Sequence, residues 1–275
     1  MRVVVTGGSG FVGRELLEML ILQGYEVINI DLVPSAIQGT DRLHDLTTGI
    51  IDLEADFCFH LASAAGGLLF NQKQDVIEYN NKINENVLKS CDMPILFVST
   101  LNVFEGCKTI NDGRSPETPY AQSKLNGEQF FLHNAVNGLY IVRPSNIFGA
   151  SQLSKFTAYG ESHVIPDILN KINNSDVIDV WGNGTQKRNF LHVKDICRYL
   201  MSFLQQEHDP ENNICSSITL SIMDLVKCLL EFKKTDMPIH YNSSYMQYEK
   251  MFIEDIIDEL YNVGTIKSIA EGLVI

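Results

Sequence analysis

The spacing of apolar residues predicts alternating strands and helices from the first residues of the chain. Arg2 to Thr6 is a short run of β-branched residues, which is typical of a buried strand. Phe11 to Gln23 places apolar residues at helical spacing and ends at Gly24. Glu26 to Ile30 is again strand-like. The chain is therefore predicted to begin with a strand, a turn, a helix and a second strand.

The same alternation continues beyond the second strand. Because helices separate the strands, we expect a parallel sheet with helices on both faces, which is the doubly wound α/β architecture. The further strands are predicted at Asp56 to Ala62, Ile95 to Thr100 and Leu139 to Val142, and the helices between them at Asp75 to Cys91 and Tyr120 to Asn137.

The second half of the chain is less regular. A long polar stretch from Ala150 to Ser162 interrupts the alternation, and loops of this length are often functional. We therefore predict one body with two lobes: residues 1–150 form the larger lobe, and residues 151–275 mainly form a smaller C-terminal lobe, with some segments returning to the first. Beyond the polar stretch, helices are predicted over 165–172 and 193–206 and a strand over 177–181.

The charge balance excludes several classes of partner. The 275 residues include 21 Lys and Arg against 34 Asp and Glu, a formal charge of -13. Such a chain repels phosphate backbones and anionic membrane surfaces, so we expect neither nucleic acid nor a membrane as partner. The six cysteines form no C-x-x-C pair, which argues against a zinc site and a disulfide framework. We expect a cytoplasmic protein without a bound metal.

The segment TGGSGFVG, Thr6 to Gly13, lies between the first strand and the first helix. Glycines at this spacing allow a tight turn and the close approach of a pyrophosphate to backbone N–H groups. Asp31 ends the second strand 18 residues after Gly13, where a carboxylate accepts hydrogen bonds from ribose hydroxyls. These features predict a Rossmann dinucleotide site that favours NAD over NADP, although Arg42 nearby would soften that preference.

PYAQSK, Pro119 to Lys124, carries a tyrosine and a lysine four residues apart. On a helix this spacing places both side chains on one face, separated by about 6 Å along the axis. A phenol has a pKa near 10, and a neighbouring cation favours the phenolate. The pair is therefore a candidate acid/base site, although an isolated pair at this spacing is more often a surface tyrosine and a solvated lysine without a catalytic role.

Five motifs together resemble the extended short-chain dehydrogenase/reductase family of nucleotide-sugar epimerases, dehydratases and reductases. The resemblance runs from residue 1 to about residue 205. The motifs are TGGSGFVG, FHLAS (59–63), FVSTLNVF (97–104), YAQSK (120–124) and RPSNIFG (143–149). The resemblance implies catalytic roles for Thr100, Tyr120 and Lys124, with Lys124 binding the nicotinamide ribose and lowering the pKa of Tyr120. The cofactor-binding positions that it implies are Gly7, Gly10, Phe11, Val12, Gly13, Asp31, Leu61, Ala62, Tyr120 and Lys124.

Three further segments resemble the GDP-fucose synthases within that family. They are ASAAGGLLFN (62–71), SHVIPDIL (162–169) and VWGNGTQKRNFLHVKD (180–195). This resemblance implies a nucleotide-diphosphate sugar as substrate, with Arg188 holding its pyrophosphate. The positions expected to face the sugar are Thr100, Asn102, Asn146, His163 and Val164.

Two departures from the family pattern narrow the reaction. Leu101 and Asn102 stand where the family's 4,6-dehydratases have an Asp-Glu pair, and neither can transfer a proton. Asn102 also replaces the Cys that works with a His in fucose synthases, whereas that His is retained as His163. We therefore predict reduction of the C4 ketone of a nucleotide-activated 4-keto-6-deoxy sugar. The alternatives are a 4-epimerase with tightly bound NAD and a catalytically silent NAD-binding module. The resemblance also implies a homodimer formed through the helices at 75–91 and 120–137.

Overall fold

The computed structural model describes residues 1–35, 37, 41–107, 109–114, 116–150, 162–244 and 256–274. The strands are β1 Arg2–Thr6, β2 Glu26–Asp31, β3 Asp41–Leu43, β4 Phe57–His60, β5 Ile95–Val98, β6 Leu139–Pro144, β7 Asn146–Phe148, β8 Ile178–Trp181, β9 Lys187–His192, β10 Glu211–Cys215, β11 Thr219–Ser221, β12 Ile239–Asn242 and β13 Tyr261–Asn262. The helices are α1 Phe11–Leu22, α2 Leu68–Asn71, α3 Asp75–Ser90, α4 Pro119–Asn134, α5 Val164–Asn174, α6 Val193–Ser202, α7 Ile222–Lys233 and α8 Ile269–Val274.

Eight strands form one sheet in the order β13-β10-β6-β5-β4-β1-β2-β3. Every neighbouring pair in this sheet is parallel, which confirms the predicted doubly wound α/β fold. The order reverses at β1, whose neighbours are β2 and β4. Ligands of such sheets bind in the crevice beyond the carboxyl ends of the strands at this reversal. The fold therefore places a candidate site after Thr6 and His60.

The centre of the first strand, Val3 to Val5, is apolar because both of its faces are covered. Val3 and Val5 pack in one hydrophobic cluster with residues of α1 and α6. Val4 points the other way and packs in a second cluster with residues of α3 and α4. Side chains alternate between the two faces of a strand, so a strand buried on both sides reads as a continuous apolar run.

A further hydrophobic cluster lies in the second half of the chain. It joins residues of α5, α7 and α8 with side chains of β8 and β9. Two small sheets accompany it, one of β11, β9 and β7 and one of β12 and β8. Strands β10 and β13, which come late in the chain, lie in the large sheet instead. The lobe boundary near residue 150 stays a prediction.

Several element boundaries differ from the sequence prediction. Helix α4 ends at Asn134 rather than near residue 137, because Ala135 adopts an extended conformation. Helix α6 ends at Ser202 rather than at residue 206. Strand β3 was not predicted, because its residues show no alternation of apolar and polar positions. Of the predicted polar loop at 150–162, residues 151–161 lie outside the described residues. Within the described chain, no helix is both long and apolar enough for a membrane span.

Candidate active site at the strand-order reversal

The glycine turn packs directly against the end of β4. Gly7 has φ of 74°, a conformation that favours glycine, and a Cβ there would lie 2.7 Å from the backbone nitrogen of Ala62. The N–H of Leu61 donates to the carbonyl oxygen of Thr6 at 3.1 Å. The structure thus brings Gly7, Leu61 and Ala62 together at the crevice, where the sequence predicted cofactor contacts.

Helix α1 presents an uncapped N-terminus at this crevice. Gly10 is its N-cap residue and makes no side-chain hydrogen bond, and the first turn contains no acidic residue. The backbone N–H groups of Phe11, Val12 and Gly13 therefore face no competing anion from the first turn. Exposed N–H groups and the helix dipole make such an end a favourable place for a pyrophosphate. The chain's own residues thus fit the dinucleotide predicted for this turn.

Asp31 lies at the end of β2, beside the glycine turn. Its carboxylate accepts hydrogen bonds from the N–H of Ser9 at 3.0 Å and from that of Leu32 at 2.7 Å. These bonds hold the carboxylate next to the turn, where an adenosine ribose is predicted to lie. Arg42 donates to the carbonyl oxygen of Asp52 at 3.3 Å, so its guanidinium is engaged on a backbone group.

The three predicted catalytic residues lie just beyond the end of β5 and in the first turns of α4, and a hydrogen bond joins these two elements. Lys124 Nζ donates to the carbonyl oxygen of Val98 at 2.9 Å and lies 6.0 Å from the centre of the Tyr120 ring. Thr100, two residues beyond Val98, accepts the N–H of Asn102 on its Oγ1 at 3.2 Å. A hydroxyl group can accept one hydrogen bond and donate another, so Thr100 can still donate its hydroxyl hydrogen to a ligand.

Burial controls the protonation of this group of side chains. It lowers the pKa of Lys124 to about 7, with an opposing contribution from Glu128. Burial also raises the pKa of Tyr120, and the charge of Glu105 raises it further. Desolvation disfavours the charged form of both groups. The predicted lowering of the Tyr120 pKa by Lys124 is therefore not what the chain's own groups produce: the phenol is held in its protonated form.

A buried ion pair, which the sequence analysis did not identify, anchors the helix that carries Tyr120 and Lys124. Glu128, one further turn along α4, receives two hydrogen bonds from Arg143 of β6, both at 2.7 Å. Both side chains are almost fully buried. Ser99 donates to the same carboxylate. The available signal was the i, i+4, i+8 spacing of Tyr120, Lys124 and Glu128, together with an arginine inside a buried strand.

The positions predicted to face the substrate lie on β7, β9 and α5. Asn146 of β7 donates to the carbonyl oxygen of Asn189 in β9 at 3.0 Å, and Arg188 is the preceding residue of β9. His163 is the N-cap residue of α5 and Val164 is its first residue. His163 and Arg188 keep solvent-accessible side chains, yet burial lowers the pKa of both. This combination is expected of groups that line a cleft.

Glu105 is a third residue that the sequence analysis missed. It follows the 3-10 turn at Leu101–Phe104, is 5% exposed, and accepts the backbone N–H groups of Glu117 and Thr118 on one carboxylate oxygen. Burial raises its pKa to about 7. An acid inside the otherwise apolar segment VFEGC was the signal that could have marked it.

Comparison with known proteins places the chain in a family. The family model described as NAD dependent epimerase/dehydratase family matches residues 3–215. The dTDP-4-dehydro-6-deoxy-D-allose reductase of Streptomyces bikiniensis is 24% identical over 265 residues, covering 83% of this chain and 80% of that protein. The dTDP-4-dehydro-6-deoxyglucose reductase of Escherichia coli is 25% identical over 290 residues, covering 88% of this chain and 87% of that protein.

The fold comparison agrees with the sequence comparison. The crystal structure of a UDP-glucose 4-epimerase from Thermotoga maritima, solved with UDP-glucose, superposes with a TM-score of 0.81 at 21% identity, covering 99% of this chain and 96% of that chain. At this identity the likeness shows the fold alone. The match over residues 3–215 shows that the chain belongs to the NAD dependent epimerase/dehydratase family of enzymes.

Proposed function

We propose that the chain reduces the C4 ketone of a nucleotide-activated 4-keto-6-deoxy sugar, with Tyr120 donating the proton. A reduced nicotinamide dinucleotide bound at the glycine turn would supply the hydride to C4. The Tyr120 phenol gives its proton to O4, so that the ketone becomes a secondary alcohol. The proton is later restored to the phenolate from solvent.

The observation that carries this proposal is the protonated state of Tyr120. Burial and the neighbouring Glu105 both raise the pKa of the phenol. A reductase begins its chemical step with a proton donor, whereas an epimerase begins by removing a proton from the C4 hydroxyl. A phenol that holds its proton at neutral pH is in the form that the first task requires, whereas it would have to ionise before it could perform the second.

Thr100 and Lys124 would support the reaction as hydrogen-bond donors. The Thr100 oxygen already accepts the N–H of Asn102, so its hydrogen can be donated to the developing O4 anion. Lys124 is held by the carbonyl oxygen of Val98 and has two further N–H hydrogens for the hydroxyls of the nicotinamide ribose.

The neighbourhood of Thr100 disfavours water elimination. Leu101 is buried in a hydrophobic cluster with Val103, Phe104 and Leu125, so its side chain belongs to the core. The next residue, Asn102, carries an amide that is neither an acid nor a base at neutral pH. The two positions that resemble the Asp-Glu pair of dehydratases therefore offer no acid and no base.

The substrate assignment rests on the strand pair that carries Arg188 and on the relatives. A guanidinium suits a pyrophosphate because its planar donors bind two oxygens at once. The Streptomyces and Escherichia coli relatives are both named as reductases of dTDP-4-dehydro-6-deoxy sugars. We assign Asn146, His163 and Val164 to the sugar and leave the nucleotide to experiment.

Asp31 supports NADH as the reductant. Its carboxylate is held beside the turn by the N–H of Ser9, where it would repel a 2'-phosphate. The same residue also supports the second candidate, a 4-epimerase that keeps NAD bound. In a third reading, the chain binds NAD without turnover.

The test is the consumption of NADH by the purified protein with dTDP- and GDP-linked 4-keto-6-deoxy sugars, with the sugar products identified in the same tube. We expect stoichiometric loss of NADH and a reduced sugar. Interconversion of nucleotide sugars without net loss of NADH would establish the epimerase instead. Cofactor binding with no product from either class of sugar would favour the silent module.

Tyr120→Phe provides the matched variant for this assay. It keeps the buried ring and removes the proton donor, so kcat should fall by about 10²–10⁴-fold while cofactor binding persists. Tyr79→Phe removes a phenol from the exposed face of α3 and should leave kcat unchanged. Equal rates for Tyr120→Phe and the unmodified chain would remove Tyr120 from the mechanism.

We also propose that the protein forms a homodimer through α3 and α4. The described surface between these helices is polar and includes Asn81, Glu85, Asn126 and Gln129. A dimer formed there would be held largely by hydrogen bonds. Sedimentation equilibrium of the unmodified chain over a range of concentrations tests this, and a monomer at every concentration would reject it.

A further inference from the structure

Glu105 fixes the segment that leads into the helix of Tyr120. One carboxylate oxygen, Oε2, accepts the N–H of Glu117 at 2.9 Å and that of Thr118 at 3.0 Å. Thr118 is the N-cap residue of α4, and its hydroxyl accepts the N–H of Ala121 at 3.2 Å. Glu105 is therefore linked through two hydrogen-bonded steps to the first turn of the helix that contains Tyr120.

The second oxygen of the same carboxylate is in a different situation. Oε1 is buried and has no hydrogen-bond partner among the residues that the structure describes. A buried carboxylate oxygen without a donor is costly, because an unpaired charge loses its hydration on burial. The cost is much smaller when a proton neutralises the carboxyl group, because only an unpaired polar atom then remains, and it is also smaller when a cation lies nearby.

The charged and titratable groups that interact with Glu105 lie in three segments of the chain. Glu117, in the segment before α4, raises the pKa of Glu105 as a like charge. In the first turn of α4, the pKa of Tyr120 is raised by Glu105. On β9, the charge of Glu105 raises the pKa of Arg188 against the effect of burial. Glu105 thus acts on the proposed proton donor and on the proposed pyrophosphate ligand.

We propose that Glu105 is a positioning residue for the reaction, whose carboxyl group holds the start of α4 and whose charge sets how readily Tyr120 gives up its proton. This inference rests on the proposed reductase chemistry for its kinetic consequence. A negative Glu105 disfavours the phenolate that forms when Tyr120 donates its proton. A protonated Glu105 removes this opposition, so proton transfer becomes faster.

The kinetic consequence is a decrease in kcat as pH rises through the ionisation of Glu105. Burial places that pKa at about 7, so the decrease should lie in the neutral range. We expect kcat for ketone reduction to fall roughly two- to tenfold from the acidic to the basic side of the step. A residue that only supported the backbone would change kcat equally at every pH.

Glu105→Gln removes the negative charge of the side chain but keeps an oxygen that accepts hydrogen bonds from the segment before α4. The glutamine carbonyl can still accept both N–H groups, whereas the side chain no longer ionises. The pH profile of kcat should lose the contribution of Glu105 to the neutral step, so kcat on the basic side should rise, and the change that remains near pH 7 belongs to Lys124. Glu117→Gln removes an exposed charge from the same segment and should retain the step, moved to lower pH because a like charge beside Glu105 is lost. An unchanged step in Glu105→Gln, or a uniform loss of kcat at every pH, overturns the proposal.

A second measurement needs no substrate and therefore separates this inference from the proposed function. The carboxyl carbons of Glu are labelled with carbon-13, and the Glu105 signal is identified by its absence in Glu105→Gln. Titration of the full chain by NMR should show this carboxyl ionising near neutral pH. A midpoint in the ordinary range of glutamate overturns the proposal even if no sugar is turned over. If the Glu105 carboxyl group ionises near neutral pH but no keto sugar is reduced, the role of Glu105 in the fold is supported and the reductase assignment is rejected.

Discussion

The ammonium group of Lys124 donates a hydrogen bond of 2.9 Å to the carbonyl oxygen of Val98, the last residue of β5. The same ammonium lies 5.0 Å from the centre of the Phe97 ring. The strand end and a neighbouring aromatic face thus hold the buried Lys124 nitrogen 6.0 Å from the centre of the Tyr120 ring. The position of Lys124 is determined by the sheet, before any cofactor binds.

Lys124→Met should make the cofactor-free protein more stable at pH 6 but far less active. Burial lowers the pKa of Lys124 to about 7, so the folded state opposes the charge that the unfolded chain accepts. The resulting destabilisation is fully present below pH 7 and fades as pH rises toward the ordinary lysine range. Thermal unfolding from pH 6 to pH 10 should therefore show a gain that shrinks with pH, while kcat/KM falls by about 10²-fold or more.

Lys89→Met is the control for this prediction, because Lys89 is an exposed residue near the end of α3. It should change neither the stability at pH 6 nor the activity. A Lys124→Met protein with an unchanged melting temperature at pH 6 would show that the buried lysine carries no cost.

Gly13→Ala should abolish dinucleotide binding and destabilise the fold. A Cβ at this position would lie 2.3 Å from the carbonyl oxygen of Gly7 and 2.5 Å from the Cα of Gly8. Both are backbone atoms, so the turn itself must move, at a cost of about 1 to 3 kcal/mol. Gly49→Ala is the matched control because a Cβ there meets nothing within 4 Å. Calorimetric titration with NADH measures binding, and chemical unfolding measures stability. Tight NADH binding by Gly13→Ala would contradict the proposed dinucleotide site at the glycine turn.

Asp31→Ser should shift the coenzyme preference toward NADPH. The change removes a carboxylate that the N–H groups of Ser9 and Leu32 hold beside the glycine turn. Loss of this repulsion should raise the ratio of kcat/KM for NADPH to that for NADH by about tenfold or more. Asp52→Ser removes an equal charge from an exposed position and should leave the ratio unchanged. If Asp31→Ser retained the original ratio, a different group would set the preference.

Glu128→Gln should destabilise the protein through Arg143. The substitution breaks a bidentate ion pair in which the two side chains are 0% and 1% exposed. Removing one partner of a buried pair typically costs about 3 to 5 kcal/mol, because the remaining charge loses its compensation. Arg143 also pairs with Glu211, so we expect the lower end of this range. Urea unfolding of Glu128→Gln is compared with Glu78→Gln, which breaks an exposed pair with Lys82 and should have almost no effect.

The elements that the sequence predicted well share strong local signals. The glycine turn and helix α1 follow from residues that are adjacent in the chain, and their start and end agree with the structure to within a residue. Strand β3 was missed because its residues, Asp41 to Leu43, carry no apolar alternation. It forms because the exposed edge of β2 offers unpaired backbone groups.

The residues of the candidate site likewise divide into those with a local sequence signal and those without one. Thr100, Tyr120 and Lys124 were predicted from motifs, and the structure places them where β5 meets α4. Glu105 and the pair of Glu128 and Arg143 were missed, since their partners lie between 12 and 15 residues away in sequence. The pKa of Tyr120 was expected to fall because helical spacing shows a nearby cation. Spacing cannot show the burial and the Glu105 charge that raise it.

The class of fold, the position of the glycine turn and the helix face shared by Tyr120 and Lys124 follow from residue order alone, because each depends on residues within a few positions of one another. The protonation of Tyr120 and Lys124 and the residues that hold them in place depend on how the chain packs. Burial and long-range charge pairs arise when distant segments pack, and a pKa responds to the packed surroundings rather than to the order of residues in the chain.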